Sequence, residues 1–470
     1  MDEEKELPVD ALIQSRENQY DYYIKIGSVC LLSEFQGERN PQDDREKLLK
    51  EMRIRVGVLL KTDNVSFLFG AGASIAAGGV SLSTIPKLLE RELLEQAKHD
   101  KVRNNWPRWI ELFYDTVSFI LQNPLGVEAR LSLCDSSPKA IELPVIAINL
   151  EEYLNQLYTW KSAIGEENNS MTVRAIGRQQ LTLRRVDLEK LIKTIMVALS
   201  KLLDLPIPSK GKESLNAHRR LIKKVLTRPL NLRRVNLFTL NYDTLLEQAA
   251  DSAGAVLVDG FVGTLKRIFR PESYDLDYYF PAQTTEGRVH RFDRALHLYK
   301  LHGSLNWHRS QQSWQNPYGL YASFYNQQTE AEDVLIYPSP LKYGQTLALP
   351  YSELFRRFGN TIAQPQSVLF IIGYGFGDEH VNALIRQALA IPSFTLVVVD
   401  PSPASDFVQA LESTDDERVW IIKGWQIGTF DKFVEKLLPD LRDEEITEKV
   451  MQTLRLLQRK SGEDDFDDVK

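Results

Sequence analysis

Apolar positions along this chain fall into two textures, one at helical spacing and one in short unbroken runs. From 43 to 60, Leu48, Leu49, Met52, Ile54, Val56, Leu59 and Leu60 recur at the spacing of an amphipathic helix. The next apolar stretch, 65–69, is short and continuous, and it stops at Gly70-Ala71-Gly72-Ala73-Ser74 before helical spacing resumes at 82–97. Further short runs stand at 235–240, 255–258, 296–301, 367–372, 396–399 and 419–422. Most of them stop at polar or glycine residues: Asn241-Tyr242-Asp243, His302-Gly303-Ser304, Gly373-Tyr374-Gly375-Phe376-Gly377-Asp378, Asp400-Pro401 and Lys423-Gly424. Continuous apolar runs of this length fit strands buried on both faces. They predict an α/β chain with a parallel sheet flanked by helices. In open sheets of this kind the ligand lies beyond the carboxyl ends of the strands, so the stops are expected to converge on one site.

The stretch 100–230 has a different texture. Residues 150–160 and 186–203, the latter with Leu188, Leu191, Ile192, Ile195, Leu199 and Leu202, carry helical periodicity. Pro206, Pro208 and Gly211 mark a break before another helix at 215–226. The expected organisation is an N-terminal arm (1–42) and a Rossmann-type core in two parts (43–99 and 231–440). A mainly helical insertion (100–230) separates them, and a C-terminal helix with an acidic tail (441–470) follows. The arm holds one apolar-aromatic patch at about 20–32.

Composition narrows the class. The 470 residues are 43% hydrophobic and 26% charged, ordinary for a globular protein. No apolar run reaches membrane-span length, and the acidic start lacks a signal-peptide pattern, so no membrane partner and a cytoplasmic location are expected. Cys30 and Cys134 are the only cysteines, too few for a Cys-rich zinc site or a disulfide framework. A net charge of −7 argues against the whole molecule trapping nucleic acid.

Four segments carry candidate chemistry. The Gly70–Ser74 turn suits an anion, because glycine admits close backbone approach and a helix start offers N–H groups. Ile75 stands where the dinucleotide fingerprint has its third glycine, and the P-loop Gly-Lys pair is missing. A plain tight turn between strand and helix is the less favoured account of the segment. In Thr239-Leu240-Asn241-Tyr242-Asp243, the Asn241 amide can both donate and accept toward a water or hydroxyl, whereas Asp243 also suits a helix cap. A histidine such as His302, at a strand end, could act as acid or base, or be structural. The Gly373 turn and Asp400, at the next strand end, suit a ribose.

Taken in order, these segments resemble the sirtuin family, with its Gly-Ala-Gly-x-Ser loop, Thr-x-Asn-x-Asp segment, His-Gly pair and later strand ending in Gly. The wording is closer to bacterial sirtuin-like defence proteins, which carry Leu-Asn-Tyr-Asp, Lys-Leu-His-Gly-Ser and Gly-Tyr-Gly-x-Gly-Asp. Here these stand at Leu240–Asp243, Lys300–Ser304 and Gly373–Asp378, and the likeness covers about 55–90 and 230–425. It implies a sirtuin-like Rossmann-type sheet with NAD as substrate. Protein deacylases of the family hold zinc on four cysteines. Two cysteines cannot build that site, so the resemblance implies that the helical insertion replaces the zinc module and that no zinc is bound.

The activity then implied is hydrolysis of the nicotinamide–ribose bond, depleting NAD in antiphage defence by abortive infection. The resemblance places Asn241 on the water and ribose, and His302 on a ribose hydroxyl as base or orienter. It places Asp243 on the nicotinamide side and Gly70, Ala71, Gly72 and Ser74 on the pyrophosphate. Gly373 and Asp400 would line the adenosine end. An unrestrained NAD hydrolase would harm its host, so gating by a homo-oligomer or by a partner such as a HerA-type ATPase is expected. Two other readings stay open. One is a non-catalytic nucleotide-sensing subunit of a defence complex. The other is a DNA-associated nuclease subunit using a local basic face at Arg219, Arg220, Lys223, Lys224, Arg228, Arg233 and Arg234. A solvated helix face is the plainer account of that run.

Overall fold

A computed structural model of the chain describes residues 23–31, 41–81, 84–102, 105–122, 131, 148–164, 169–174, 180–205, 216–280, 290–323, 350–442 and 448–454. Cys134, the break at 206–211 and the acidic tail lie outside the described residues. The central sheet has nine strands: β1 (Tyr23–Ile26), β2 (Val29–Cys30), β3 (Asn64–Phe69), β4 (Asn236–Thr239), β5 (Val256–Val258), β6 (Ala295–Lys300), β7 (Ser367–Ile372), β8 (Thr395–Val399) and β9 (Val419–Lys423). Across the sheet the order is β2-β1-β9-β8-β7-β3-β4-β6-β5. Strands β3 to β9 are parallel, as the unbroken apolar runs predict.

The helices that matter below are α1 (Pro41–Leu59), α2 (Ile85–His99), α3 (Arg108–Leu121), α4 (Leu150–Ile164), α5 (Arg185–Leu203), α6 (Asn216–Val225), α7 (Leu245–Ala253), α8 (Tyr351–Ile362) and α9 (Glu379–Leu389). Every residue of β3 and β7 is buried. Successive side chains leave opposite faces of a strand, so the two strands feed two cores. Phe67, Phe69, Phe370 and Ile372 pack with Met52 and Val56 of α1 and Leu221 and Ile222 of α6. Leu68, Leu369 and Ile371 pack with Phe355 and Phe358 of α8 and Ile385 of α9. The rings of Phe67 and Phe370 stack across neighbouring strands at 4.8 Å. Fully burying each such side chain contributes about 1.5–3 kcal/mol. The result is an α/β, Rossmann-like fold with helices on both faces.

Three features go beyond what the apolar pattern shows. The N-terminal patch is no separate appendage: β1 pairs antiparallel with β9 and β2 with β1, extending the sheet at one edge. The mainly helical insertion also carries an antiparallel hairpin, Ser170–Arg174 with Gln180–Arg184, between α4 and α5. A second sheet of four short antiparallel strands (Phe261–Val262, Arg267–Phe269, Trp307–Arg309 and Leu320–Ala322) packs into the α8/α9 core. It also places His308 in a strand. Helix α2 sends Leu89, Leu93 and Leu94 into a third core with α3, α4 and α5, whereas α6 packs on the main sheet.

Candidate functional site

Register sets the geometry of the strand ends. Phe69 lies level with Ile372 on one side and Thr239 on the other, and Thr239 lies level with Lys300. The residues that follow, Gly70, Gly373, Leu240-Asn241 and Leu301-His302, therefore leave the sheet in one row. Four neighbouring strands at ~4.8 Å spacing make that row roughly 15 Å long. The chain runs from β3 to β4 on one side and reaches β7 on the other, so β3 stands at the topological switch point where ligands bind in this architecture.

The glycine turn continues as a 3-10 helix, Ala71–Ala77, rather than an α-helix. It lies hard against the Gly373 turn. Gly70 N–H donates to the Ile372 carbonyl at 3.0 Å and Gly72 N–H to the Gly373 carbonyl at 2.9 Å. A Cβ on Gly70 would stand 2.6 Å from Gly373 O, one on Gly72 2.7 Å from Gly373 Cα, and one on Gly373 2.5 Å from Ala73 N. Gly373 also has φ +62°, the left-handed region that favours glycine. These three glycines are needed so that two backbones can touch. The pyrophosphate grip expected of Gly70 and Gly72 meets N–H groups already bonded to the neighbouring turn, so an anion here would have to be met by other groups.

Asn241 ties the next strand end to the same turn. Its Nδ2 donates to the Gly70 carbonyl and to Ser74 Oγ, both at 2.9 Å. Ser74 Oγ in turn donates to Asp243 Oδ2 at 2.6 Å, and Asp243 Oδ1 accepts from Leu245 N at the start of α7. Asp243 thus braces the glycine turn and closes an Asx-type turn onto the first residue of α7, whose N-cap is Thr244. With both amide hydrogens of Asn241 engaged, its action on a ligand falls to Oδ1, an acceptor. Behind this turn, buried Lys300 bonds the carbonyls of Asp243 and Tyr242 and pairs with Glu247 Oε1 at 3.1 Å. Burial pushes the Glu247 carboxyl up, and Lys300 opposes that shift.

His302 and Asp378 meet across two strand ends, Nε2 to Oδ2 at 3.1 Å, with their side chains 6% and 9% exposed. Asp378 is the N-cap of α9, and its Oδ1 accepts from His380 N and Val381 N. A carboxylate already sits on this helix N-terminus, which disfavours a phosphate there and suits a neutral group such as a ribose. The Tyr374 hydroxyl braces the turn by accepting from Asp378 N. Gly375 and Gly377 are exposed and have no atom within 4 Å of a would-be Cβ, while Phe376 between them is held at φ +56°. Asp400 lies beyond Gly373 at the end of β8, and burial pushes its carboxyl above the usual carboxylate range. The row thus gathers Gly70, Ala71, Gly72, Ser74, Asn241, Asp243, His302, Gly373 and Asp400 at one end of the sheet. Asp378 and Lys300 stand inside the motifs, but spacing alone assigns neither a role. An aspartate just before a helix is a legible cap, yet its pairing with a histidine on another strand is not.

Residues 235–422 match the family model described as a SIR2-like domain. The match supports a sirtuin-like family and spans β4 through most of β9. It includes Asn241, Asp243, His302, Gly373, Asp378 and Asp400, and leaves the Gly70–Ser74 turn outside. No curated protein matches the chain. Among the described residues no group of three or more His, Cys, Asp or Glu could hold a metal ion, and no helix is long and apolar enough to cross a membrane.

The basic run at 219–234 is divided between internal and exposed positions. Arg228 is buried and donates to the carbonyls of Leu60, Thr62 and Arg233. Buried Arg234 pairs with Asp277, and Lys224 donates to the carbonyls of Val434 and Leu438. Three of the seven cations thus hold this chain's own backbone and carboxylates, whereas Arg220, Lys223 and Arg233 are exposed.

Proposed function

We propose that this chain consumes NAD by cleaving the nicotinamide–ribose bond. The observation that carries the reading is the amide of Asn241, which ties the glycine turn to the strand end beside His302 at the switch point of a SIR2-like sheet. Cleavage releases nicotinamide as a neutral group from a cationic linkage, develops positive charge on the ribose, and is completed by water, giving ADP-ribose and a proton. Positive charge calls for an oriented acceptor, and Asn241 Oδ1 is the group left for that role. His302, buried and held by a carboxylate, suits a ribose hydroxyl that must be oriented or deprotonated. The open backbone at Gly375 and Gly377 suits the adenosine half, as does the carboxyl of Asp400 at the next strand end. The resemblance to defence proteins extends the reading to NAD depletion in antiphage abortive infection, restrained by a homo-oligomer or a HerA-type partner.

The test is to incubate the purified chain with NAD, alone and with a co-expressed partner, and to resolve nicotinamide, ADP-ribose and cyclic ADP-ribose by chromatography. Asn241→Ala and His302→Ala should each slow NAD loss by about 10²–10⁴, the usual worth of a positioned acid, base or dipole, with an unchanged circular dichroism spectrum. Variants that consume NAD at the wild-type rate would remove both residues from the reaction.

A further inference from the structure

We infer that Lys300 is a positioning residue: its buried ammonium clamps the turn after β4 to the end of β6 and so sets Asn241 against His302. Lys300 is the last residue of β6, two positions before His302, and it lies level with Thr239, two positions before Asn241. Its side chain is 3% exposed. The ammonium donates to the Tyr242 carbonyl at 3.4 Å, to the Asp243 carbonyl, and to Glu247 Oε1 at 3.1 Å. The chain beyond Lys300 closes on the same turn. Leu305 N donates to the Tyr242 carbonyl at 3.0 Å, and Ser304 Oγ reaches it at 3.4 Å. These carbonyls belong to the two residues that follow Asn241, so the bonds that hold them also hold the backbone carrying its amide. Asp243 is held twice, by Lys300 on its main chain and by Ser74 on its side chain, and Ser74 also accepts from Asn241 Nδ2.

Stability does not account for the pair. A buried ion pair is often no more stable than apolar residues of the same volume. Here the cation also stands at the N-terminal end of α7, the end of a helix that disfavours positive charge, and Glu247 in the first turn is the compensating acid. That acid is itself incompletely served, because Glu247 Oε2 is buried with no hydrogen-bond partner among the described residues. An unsatisfied buried group calls for a reason other than stability. The two carbonyls supply one, since only a donor can hold them and an apolar side chain at 300 could not.

Two double variants remove the clamp without leaving a buried charge unpaired. Lys300→Met/Glu247→Leu replaces the pair by apolar groups. Lys300→Gln/Glu247→Gln replaces it by neutral amides, and the side chain at 300 is then one bond too short to reach both carbonyls. Urea midpoints of both should stay near the wild type. Hydrogen exchange in peptides spanning 239–248 and 301–306 should quicken by about tenfold or more, the worth of a lost bond to a charged donor. The bonds from Asn241 N, Leu245 N and Leu305 N report that opening. A displaced Asn241 should lower kcat for NAD by about 10²-fold, with KM little changed.

The rate comparison rests on the NAD-consuming reading; the exchange comparison does not. Wild-type exchange in both peptides of a folded double variant would overturn the clamp, whatever the protein does to NAD. Faster exchange with an unchanged kcat would remove Lys300 from the reaction. Faster exchange in the variants with no NAD loss from the wild type would support the clamp and overturn only the proposed reaction. Where one double variant fails to fold, the other decides; failure of both would make Lys300 a purely structural residue and overturn the inference.

Discussion

Placing a methyl group on Gly373 is the sharpest test of how the strand ends are held. The backbone there has φ +62°, and a Cβ would stand 2.5 Å from Ala73 N, 2.6 Å from Gly72 C and 2.7 Å from Gly72 Cα. All three are backbone atoms, so no flexible side chain can swing aside. A left-handed conformation costs an L-residue roughly 1–2 kcal/mol, and overfilling a packed site typically adds about 1–3 kcal/mol. Gly373→Ala should therefore destabilise the joined turns by roughly 2–5 kcal/mol. Gly375→Ala and Gly377→Ala are the internal controls. Neither position has positive φ or an atom within 4 Å of the new Cβ. Restricting the unfolded chain there should stabilise by about 0.4–1 kcal/mol, if anything.

A chain of this size need not unfold in one step, so the readout should be local. Hydrogen exchange followed by mass spectrometry on peptides spanning 64–80 and 367–380 reports the opening of the two turns. A loss of about 2 kcal/mol corresponds to roughly thirtyfold faster exchange in both peptides. The coupling is the diagnostic part, because the bonds from Gly70 and Gly72 cross from one peptide to the other. Exchange in Gly373→Ala as slow as in Gly375→Ala would refute the reasoning. Acceleration confined to 367–380 would refute the claim that the turns support one another.

Two further outcomes follow from buried groups. Lys300→Met leaves Glu247 without its cation in the interior and should cost about 3–5 kcal/mol, whereas adding Glu247→Leu should recover much of that; urea midpoints of the single and double variants decide it, and equal midpoints would mean that the pair carries no coupling. His218 and His297 are both pulled down to about 4, chiefly by burial, with Asp243 opposing the shift at His218 and Arg234 adding to it at His297. An unfolded histidine takes up its proton near 6.5, so the unfolded chain binds more protons between about pH 6.5 and 4. Stability from each histidine is complete above that window and drains as pH falls through it, by up to about 1.4 kcal/mol per pH unit. His297→Gln should flatten the slope of urea midpoint against pH in that range, and an unchanged slope would count against a buried neutral ring.

The parallel sheet was legible because its strands are buried on both faces and so appear as unbroken apolar runs. The strands that escaped the reading are those whose signal is weak or of another kind. Tyr23–Ile26 is a four-residue strand, second from the sheet's edge, with a single fully buried residue. Ser170–Arg174 and Gln180–Arg184 alternate, with Leu181 and Leu183 buried, a period-two signal hidden between two strongly periodic helices. At the site, the residues that sit at strand ends were found because position along the chain implies position in the sheet. What was not legible is which hydrogen bonds those residues make. Asn241 reads as a ligand-facing amide, yet its hydrogens hold the glycine turn, and Asp378 lies 76 positions from the histidine it engages.

The glycines show how the two kinds of information differ. A glycine-rich strand end is read from sequence as room for a phosphate, but room is required equally when a second backbone is the neighbour. Gly70, Gly72 and Gly373 are of the second kind, since their missing Cβ atoms are replaced by each other's main chain. That contact has a consequence for Asn241. The amide can reach the Gly70 carbonyl and Ser74 Oγ together only while the turn is held down on β7, so packing between two turns sets the direction of Oδ1 on a third strand end. Gly375 and Gly377 belong to the other class, because neither packing nor dihedral angle calls for glycine there, and the residue between them, Phe376, is held in a conformation that a bulky side chain rarely adopts. If a ligand approaches the backbone of this site, those two positions are where the absence of a side chain serves it. Alanine at 375 or 377 should then weaken NAD binding in a protein that is otherwise as stable as the wild type, the reverse of the effect at 373.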